Sequence, residues 1–507
     1  MSAEPEPTAP RLDPHDRETA LRVLGQLPDL APDDPDIQTV KRAAAVMTSR
    51  IRKARRREAR AAIRGPDIAH DAAILAATAT GSPLRIDDET GGIPLAAHGD
   101  SPYAGELRIP RGCYMCHEKY TLVDAFYHWL CPVCAAFSRG KRDQSTDLRG
   151  RRALLTGGRA KIGMYIALRL LRDGADLTIT TRFPRDAARR FAELADSPGW
   201  LDRLTIVGID LRDATQVVAL ADEIAAGGPL DILINNACQT VRRSPGAYAH
   251  LVAGESEPLV AGMPLPRLLT FDRVSEAHPA ALVGVLVSAQ HTHADGRGEG
   301  ADGRVATSAA ALTSLALQAG SASLEAHVAG TAIDAGGLLP DEVTVNSWTQ
   351  KVEDVDPLEL LEVQLCNSVA PFLLVSRLRP AMRAAVARGA HRAYVVNVSA
   401  MEGQFSRRYK GPGHPHTNMA KAALNMLTRT SALEMFETDR ILMTAVDTGW
   451  ITDERPHAEK LRIAAEGWHA PLDLVDGAAR VYDPIVRGEA GEDLYGCFLK
   501  DYAPHPW

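Results

Sequence analysis

This chain of 507 residues is poor in several things, and each shortage removes a class of protein. Aromatic residues make up only 5% of it, and the formal net charge is −7, so no global nucleic-acid footprint is present. No apolar run approaches the roughly 18–20 residues that a bilayer requires, and no membrane contact is expected. The opening stretch, MSAEPEPTAPRLDP, is acidic and proline-rich, unlike a secretory or transit leader. Cysteine is scarce: seven in all, four of them crowded into one cluster. That usage suits a reducing compartment, and a cytoplasmic location is the expectation. What remains, 45% hydrophobic and 24% charged residues, is ordinary for a globular chain, and its length suggests two or three units.

Residues 1–105 read as a helical, partly disordered segment. A helix is expected from about Asp36 to Arg64, where Ile37, Val40, Ala44, Met47 and Ile51 form an apolar stripe. Its second half is basic, with Arg50, Arg52, Lys53, Arg55, Arg56, Arg57, Arg60 and Arg64 against a single Glu58. A solvated helix face is the first reading of this run. Contact with nucleic acid or an acidic partner is the second, disfavoured because no aromatics interleave with the charges. The stretch 66–105 resembles a linker with one helical piece.

A second unit is expected at 106–145. Cys113-Tyr-Met-Cys116 is followed, after fourteen residues, by Cys131-Pro-Val-Cys134. Two such knuckles place four thiolates tetrahedrally about one zinc and leave no position for a substrate, so the metal is structural. His117 and His128 lie inside the cluster but are read as structural, since four sulfurs fill the site. Tyr114, Tyr120, Phe126, Tyr127 and Trp129 supply a small core, with zinc adding folding energy that some forty residues cannot bury alone.

The third unit, 146–507, alternates regularly. Its expected order is strand 151–156, helix 162–173, strand 176–182, helix 185–195, strand 204–210, helix 213–226 and strand 231–237. This α/β alternation gives a Rossmann-type, doubly wound parallel sheet. The turn after the first strand, at Thr156-Gly157-Gly158, would aim backbone N–H groups and a helix N-terminus at a phosphate. After Asn236 the pattern stalls, so roughly 240–355 is a large insertion with a glycine-rich middle, His291–Asp302. It follows the carboxyl end of a central strand, where ligands bind, and is read as a cap, or else as a surface excursion or oligomer contact. The pattern resumes with a helix at 357–388, a strand at 392–399, a helix at 416–436 and a strand at 440–446. A helix at 472–486 and a strand at 494–499 end it.

Taken in order, the turn Thr156–Gly163, Asp210, Asn235-Asn236-Ala237, Asn367, Ser399 and Lys421 resemble the short-chain dehydrogenase/reductase family, from roughly Asp147 onward. The resemblance implies a nicotinamide dinucleotide. The family's Thr-Gly-x-x-x-Gly-x-Gly is here Thr156-Gly157-Gly158-Arg159-Ala160-Lys161-Ile162-Gly163, with Lys161 at the place of the middle glycine. An NAD-selecting member would carry an acidic residue at the end of the second strand. This chain has Thr181-Arg182, with Arg185 nearby, and Arg159 and Lys161 add cationic charge, so NADP is preferred over NAD. Asp210 and Leu211 would lie at the adenine, Asn235, Asn236 and Ala237 at the floor, and Thr452 at the nicotinamide carboxamide.

The family's catalytic set is Ser, Tyr and Lys, with an Asn organising a proton relay. Ser399, Lys421 and Asn367 match, but Thr417 stands four residues before Lys421, where the tyrosine belongs. An aliphatic hydroxyl is too weak an acid to replace a phenol. Tyr409, His414 and His416, and Glu402 just after Ser399, are the candidate replacements. The resemblance implies an NADP-dependent oxidoreductase acting on a small-molecule carbonyl or alcohol, as a homo-oligomer (dimer or tetramer) joined through the helices of Asn367 and Lys421. The alternative is a catalytically silent nucleotide-binding scaffold or sensor that binds a partner through the ribbon and the basic helix.

Overall fold

A computed structural model describes residues 13–29, 31, 34–83, 85, 101–243, 245–259, 264–271, 275, 278–279, 337–340, 343–407, 410–452 and 454–507. The chain divides into two compact units, Met1–His70 and Asp71–Trp507. In the first, α1 (Pro14–Gln26) begins at Asp13, whose carboxylate accepts from the His15 and Asp16 amides at 2.8 and 3.4 Å. Helix α2 spans Pro35–Ala76, longer than expected and running through Pro66. Of its basic residues, the side chains of Arg50, Lys53, Arg55, Arg56, Arg57, Arg60 and Arg64 lie outside the described residues.

The second unit opens with an antiparallel pair, β1 (Tyr103–Gly112) and β2 (Lys119–Asp124), followed by α3 (Pro132–Arg142). The stretch read as a linker is structural up to Arg85. Asp71 accepts from the Arg108 and Ile109 amides of β1 at 2.8 and 3.0 Å, and the Thr80 hydroxyl meets His128 Nδ1 at 2.8 Å.

A nine-stranded sheet follows. Its members are β3 (Arg152–Leu155), β4 (Asp176–Thr181), β5 (Leu204–Gly208), β6 (Ile232–Asn235), β7 (Arg267–Thr270), β8 (Ala393–Ser399), β9 (Ile441–Asp447), β10 (Phe498–Lys500) and β11 (Ala503–His505). They lie in the order β11-β10-β9-β8-β6-β3-β4-β5-β7, parallel throughout except for the β10/β11 hairpin. Strands buried on both faces read as apolar runs, as AYVV and ALL do here. One face is covered by α4 (Lys161–Arg172), α5 (Pro184–Ala192) and α12 (Leu474–Glu489) through Ile166, Leu170, Phe191, Val481 and Ile485. The other is covered by α6 (Ala214–Ala226), α9 (Ala370–Ala387) and α10 (Pro415–Asp439) through Val217, Leu220, Leu374, Leu378 and Met435.

Four features depart from expectation. The insertion carries α7 (Ala249–Ser256) and then β7, which pairs with β5 from Thr205↔Arg267 to Gly208↔Thr270 and so extends the sheet edge. Its glycine-rich middle, His291–Asp302, lies outside the described residues. The helix expected at 357–388 is α8 (Pro357–Gln364), a π-type turn at Leu365–Val369, then α9. Pro357–Ala387 is long and apolar enough to cross a membrane by length and composition, contrary to the expectation, but half of its most apolar 18-residue stretch is buried and α9 packs on the sheet. The strand expected at 494–499 is shifted to Phe498–Lys500 and turns back into β11 at Asp501 and Tyr502, whose φ values are 48° and 70°.

Candidate active site

At the carboxyl end of β3 the chain turns through Thr156-Gly157-Gly158 into α4. The turn is stitched to the end of β6. The Thr156 hydroxyl accepts from the Asn236 and Ala237 amides, both at 3.0 Å, and Asn236 Nδ2 donates to the carbonyls of Thr156 (3.0 Å) and Gly157 (3.1 Å). A Cβ on Gly163 would stand 2.0 Å from the Gly157 carbonyl oxygen, and one on Gly158 would stand 2.6 Å from Ile179. Only glycine permits so close an approach, and the first turn of α4 is thereby held against the β3 turn. No side chain caps α4 at Ala160. Its first N–H groups and the helix dipole therefore suit an anion. Lys161 takes a left-handed φ of 53°, the conformation that a glycine would adopt there without strain.

The residues expected at the adenine end are heavily paired. Arg159 forms an ion pair with Asp186 at 2.5 Å, and Arg185 donates to the Glu255 and Glu257 carbonyls at 2.8 and 3.2 Å. Glu255, from α7, also accepts from the Arg185 and Asp186 amides at 3.0 and 2.7 Å, so the insertion places an anion on the N-terminus of α5. Arg182 reaches the Tyr248 hydroxyl at 3.3 Å and lies over the rings of Phe183 and Tyr248. The Thr181 hydroxyl accepts from the Phe183 amide at 3.0 Å. Asp210 is bound by Arg212 at 2.5 Å and faces His278 of the insertion at 3.5 Å, while Leu211 is buried in the core. Burial alone would raise the Asp210 pKa, but the Arg212 charge, with His278, holds it well below the usual carboxylate value.

At the catalytic end the structure brings together some of the expected residues. Asn367 sits in the π-type turn, where its carboxamide accepts from the Gln239 amide at 2.7 Å and donates to the Gln239 carbonyl at 2.8 Å. Such turns recur at functional sites because they re-aim one side chain. Lys421 donates to the Val398 carbonyl at 2.8 Å. The Ser399 hydroxyl is buried and donates to Asn425 on α10 at 2.6 Å, and Asn235 Nδ2 donates to Asn397 Oδ1 at 2.8 Å. Thr417 is buried and its hydroxyl donates to the Thr240 carbonyl at 3.3 Å. Tyr409 lies outside the described residues. His414 is stacked on Trp348 at 4.0 Å, and burial lowers its pKa. Thr452 is half-buried after Ile451.

His416, one of the candidate replacement acids, is deeply buried. It is 2% exposed, neither ring nitrogen has a hydrogen-bond partner, and Nε2 lies 3.9 Å from Glu359. Burial works against ionisation of Glu359, but His416, the Ser347 hydroxyl and the Arg242 amide outweigh it and hold its pKa below the usual value. Sequence reasoning missed Glu359, whose only signal was an acidic residue in the first turn of an apolar helix. It also missed Asp447, which ends β9 directly beside Ser399. Burial, followed by Glu402, pushes the Asp447 pKa up to about 6.

The four cysteine sulfurs of Cys113, Cys116, Cys131 and Cys134 all lie within 4.8 Å of one another, with Cys116 and Cys131 3.7 Å apart. A tetrahedron of Zn–S bonds of about 2.3 Å has edges of about 3.8 Å, so the sulfurs present fit one zinc. The Cys131 amide donates to the Cys113 sulfur at 3.3 Å, as thiolate ligands favour. His128 is buried on Thr80, outside the cluster.

The parallel sheet, its order and the stitched turn are those of a Rossmann-type α/β protein. Residues 151–250 match the family described as short chain dehydrogenase. Over 387 residues the chain is 28% identical to the uncharacterized protein R665 of Acanthamoeba polyphaga mimivirus, covering 74% of this chain and 71% of the viral one. A probable oxidoreductase of Streptomyces antibioticus is 42% identical over 91 residues, 18% of this chain and 30% of that one. The short chain dehydrogenase/reductase dpchG of Colletotrichum higginsianum is 30% identical over 152 residues, 29% of this chain and 56% of that one. The matched stretches thus span 30% and 56% of these two oxidoreductases. The solved structure of carbonyl reductase Sniffer of D. melanogaster is 16% identical, with a TM-score of 0.41, and the match covers 71% of this chain and all 100% of that one. The likeness to short chain dehydrogenases is thus carried by residues 151–250, and beyond them Thr417 stands where the resemblance places a tyrosine.

Proposed function

We propose that the chain is an NADP-dependent oxidoreductase acting on a small-molecule carbonyl or alcohol, with a structural zinc on Cys113, Cys116, Cys131 and Cys134. The observation that carries this reading is the Thr156–Gly163 turn, sealed against Asn236 and leaving the α4 N-terminus uncapped. When bound, the dinucleotide supplies or accepts the hydride. The chain's own share is to hold the pyrophosphate at the first turn of α4 and to set a cation, Arg182, at the end of β4 for the 2′-phosphate. Arg159 and Arg185 are assigned to structure, since both are paired as described above.

Proton transfer falls to His416. Neither of its ring nitrogens is engaged in a hydrogen bond, so the imidazole is available as the acid/base group, whereas the Thr417 hydroxyl is too weak an acid. Glu359 orients it. One observation favours the second reading, a silent nucleotide-binding scaffold: the Thr417 hydroxyl, where the family's phenol stands, is turned onto the Thr240 carbonyl.

Self-association is part of the proposal. Met419, Met426 and Leu433, seven residues apart on α10, are 58, 53 and 53% exposed, and Leu361, Val369 and Phe372 are exposed on the helix of Asn367. Two apolar stripes of this kind suit a homo-oligomer interface. The cysteine usage supports a cytoplasmic setting.

The test uses the protein as purified. Denaturation and mass spectrometry identify any released nucleotide, and the stripped protein is titrated with NADPH and NADH by nicotinamide fluorescence. Saturable binding with preference for NADPH is expected. Absence of both bound nucleotide and titration would overturn the oxidoreductase reading; binding without turnover of any carbonyl panel would favour the scaffold.

A further inference from the structure

The segment between β9 and α12 leaves the sheet at Asp447, in register with Ser399, at the edge where open α/β sheets bind ligands. Its one helix, α11 (His457–Ala465), has no buried residue, so its own packing does little to position it. The two limbs that carry the helix are held instead, chiefly by the ribbon and by Arg85 of the stretch before it.

On the outgoing limb, the Trp450 amide donates to the Tyr114 hydroxyl at 2.9 Å, and Tyr114 is the residue after Cys113. The Trp129 ring, two residues before Cys131, lies 6.4 Å from Trp450. Ile451 is buried in one apolar cluster with Cys113, Tyr120 and Leu130. On the returning limb, Leu472 and Leu474 join that same cluster. Arg85 donates to the Ala470 and Leu472 carbonyls at 2.6 and 2.5 Å, and Arg142 of α3 pairs with Asp473 at 2.5 Å. The limbs also touch each other, with Trp450 and Trp468 at 4.7 Å. At Glu454 the insertion adds its own hold, through Arg243 at 2.6 Å and Asn346 Nδ2 at 2.8 Å.

We propose that the four-cysteine ribbon is a clamp on both limbs of this segment, so that metal loading sets how firmly the segment stands over the nucleotide site. The regulatory half of this proposal rests on the nucleotide reading above; the clamp itself does not. Metal on the four sulfurs fixes the Cys113 turn and hence the Tyr114 hydroxyl that Trp450 meets. Loss of the metal frees Cys113 from within the shared cluster, and both limbs lose their common anchor. Tyr114 and Trp129 act here as positioning residues.

The experiment uses the full chain, zinc-loaded and chelator-stripped, with the rate of trypsin cleavage after Lys460 and Arg462 read alongside NADPH titration. Stripping is expected to speed this cleavage at least about tenfold, since opening of a local unit exposes it. Because stripping can also loosen the whole fold, Tyr114→Phe is tested with its zinc content confirmed. Loss of one hydrogen bond of about 1 kcal/mol should speed cleavage about fivefold. Equal cleavage rates in loaded and stripped protein, or in wild type and a zinc-loaded Tyr114→Phe, would overturn the clamp. Zinc-dependent cleavage without NADPH binding in any form would support the clamp while removing the nucleotide reading.

Discussion

The two ends of the proposed site are made differently. The proposed phosphate end is built from backbone and from glycines that admit no Cβ, and its fit comes from Asn236 and Thr156 reaching across from neighbouring strands. The catalytic end is built from side chains, and there the chain has exchanged one for another: Thr417 for a phenol, Ser399 turned onto Asn425, His416 buried beside Glu359. A backbone site cannot drift one residue at a time without steric conflict, whereas a side-chain site can change its chemistry inside the same fold. The difference teaches that, in the proposed enzyme, nucleotide binding and proton transfer can be lost or altered separately.

Gly163→Ala attacks the rigid end and carries the largest expected effect. Its Cβ would meet the Gly157 carbonyl at 2.0 Å, so the turn must spread. Overpacking of this sort costs about 3 kcal/mol or more. NADPH affinity should fall more than about a hundredfold in a fluorescence titration. An unchanged affinity would show that the turn is not the phosphate site.

Thr417→Tyr attacks the other end. If the remainder of the site is intact, restoring a phenol four residues before Lys421 should raise the turnover of a carbonyl panel by about a hundredfold, the lower range for a positioned acid. Its NADPH affinity should stay near wild type. No gain would mean that the substrate pocket, rather than the acid, has diverged.

Asp447 offers a pH test beside Ser399. Burial and Glu402 raise its pKa to about 6, above the roughly 3.9 of an unfolded aspartate, so the folded chain holds the proton more tightly. That contribution is complete below about pH 4 and is lost as pH rises through about 6, leaving a cost of about 2–3 kcal/mol at neutral pH. Asp447→Asn is therefore expected to be more stable than wild type at pH 8 and no more stable at pH 4, by denaturant titration. Equal stability at both values would remove Asp447 from the titrating groups.

Arg182→Ala has the smallest expected effect. Its loss should cut NADPH affinity about tenfold, one charge-assisted contact of about 1.4 kcal/mol, and leave NADH nearly untouched. A parallel loss for both nucleotides would place Arg182 in the general support of the site.

Much of this was legible in the sequence because periodicity and turn chemistry are local. The β3–turn–α4 unit and the buried strands declared themselves in this way, and so did the four cysteines. What stayed hidden depended on distant partners or on conformations without a residue signature. Strand β7 is four residues, RLLT, with no alternation to mark it. Helix α11 buries no residue, and so leaves no apolar stripe to read. The β10/β11 hairpin turns on Asp501 and Tyr502 with positive φ where glycine or asparagine would have signalled it. At the site, Asp210 meets His278 from within the insertion, and the Ser399 partner lies 26 residues on, neither readable from spacing. The ribbon's aromatics, read as a core of their own, share it with Ile451, Leu472 and Leu474.

That shared core has a consequence for how the protein is made. The Tyr127 hydroxyl donates to Asp476 at 2.6 Å across 349 residues of sequence. At about 5–20 residues per second on the ribosome, roughly 20–70 s separate the two ends of that bond. During the interval Leu107, Tyr127 and Leu130 lack Ile451, Leu472 and Leu474 as cover, and metal on the four cysteines would add to the hairpin's own strand pairing as a local constraint. With zinc bound as proposed, the cysteines would serve the nascent chain before they serve the finished one, holding a half-built surface in shape until the last third of the protein arrives to cover it.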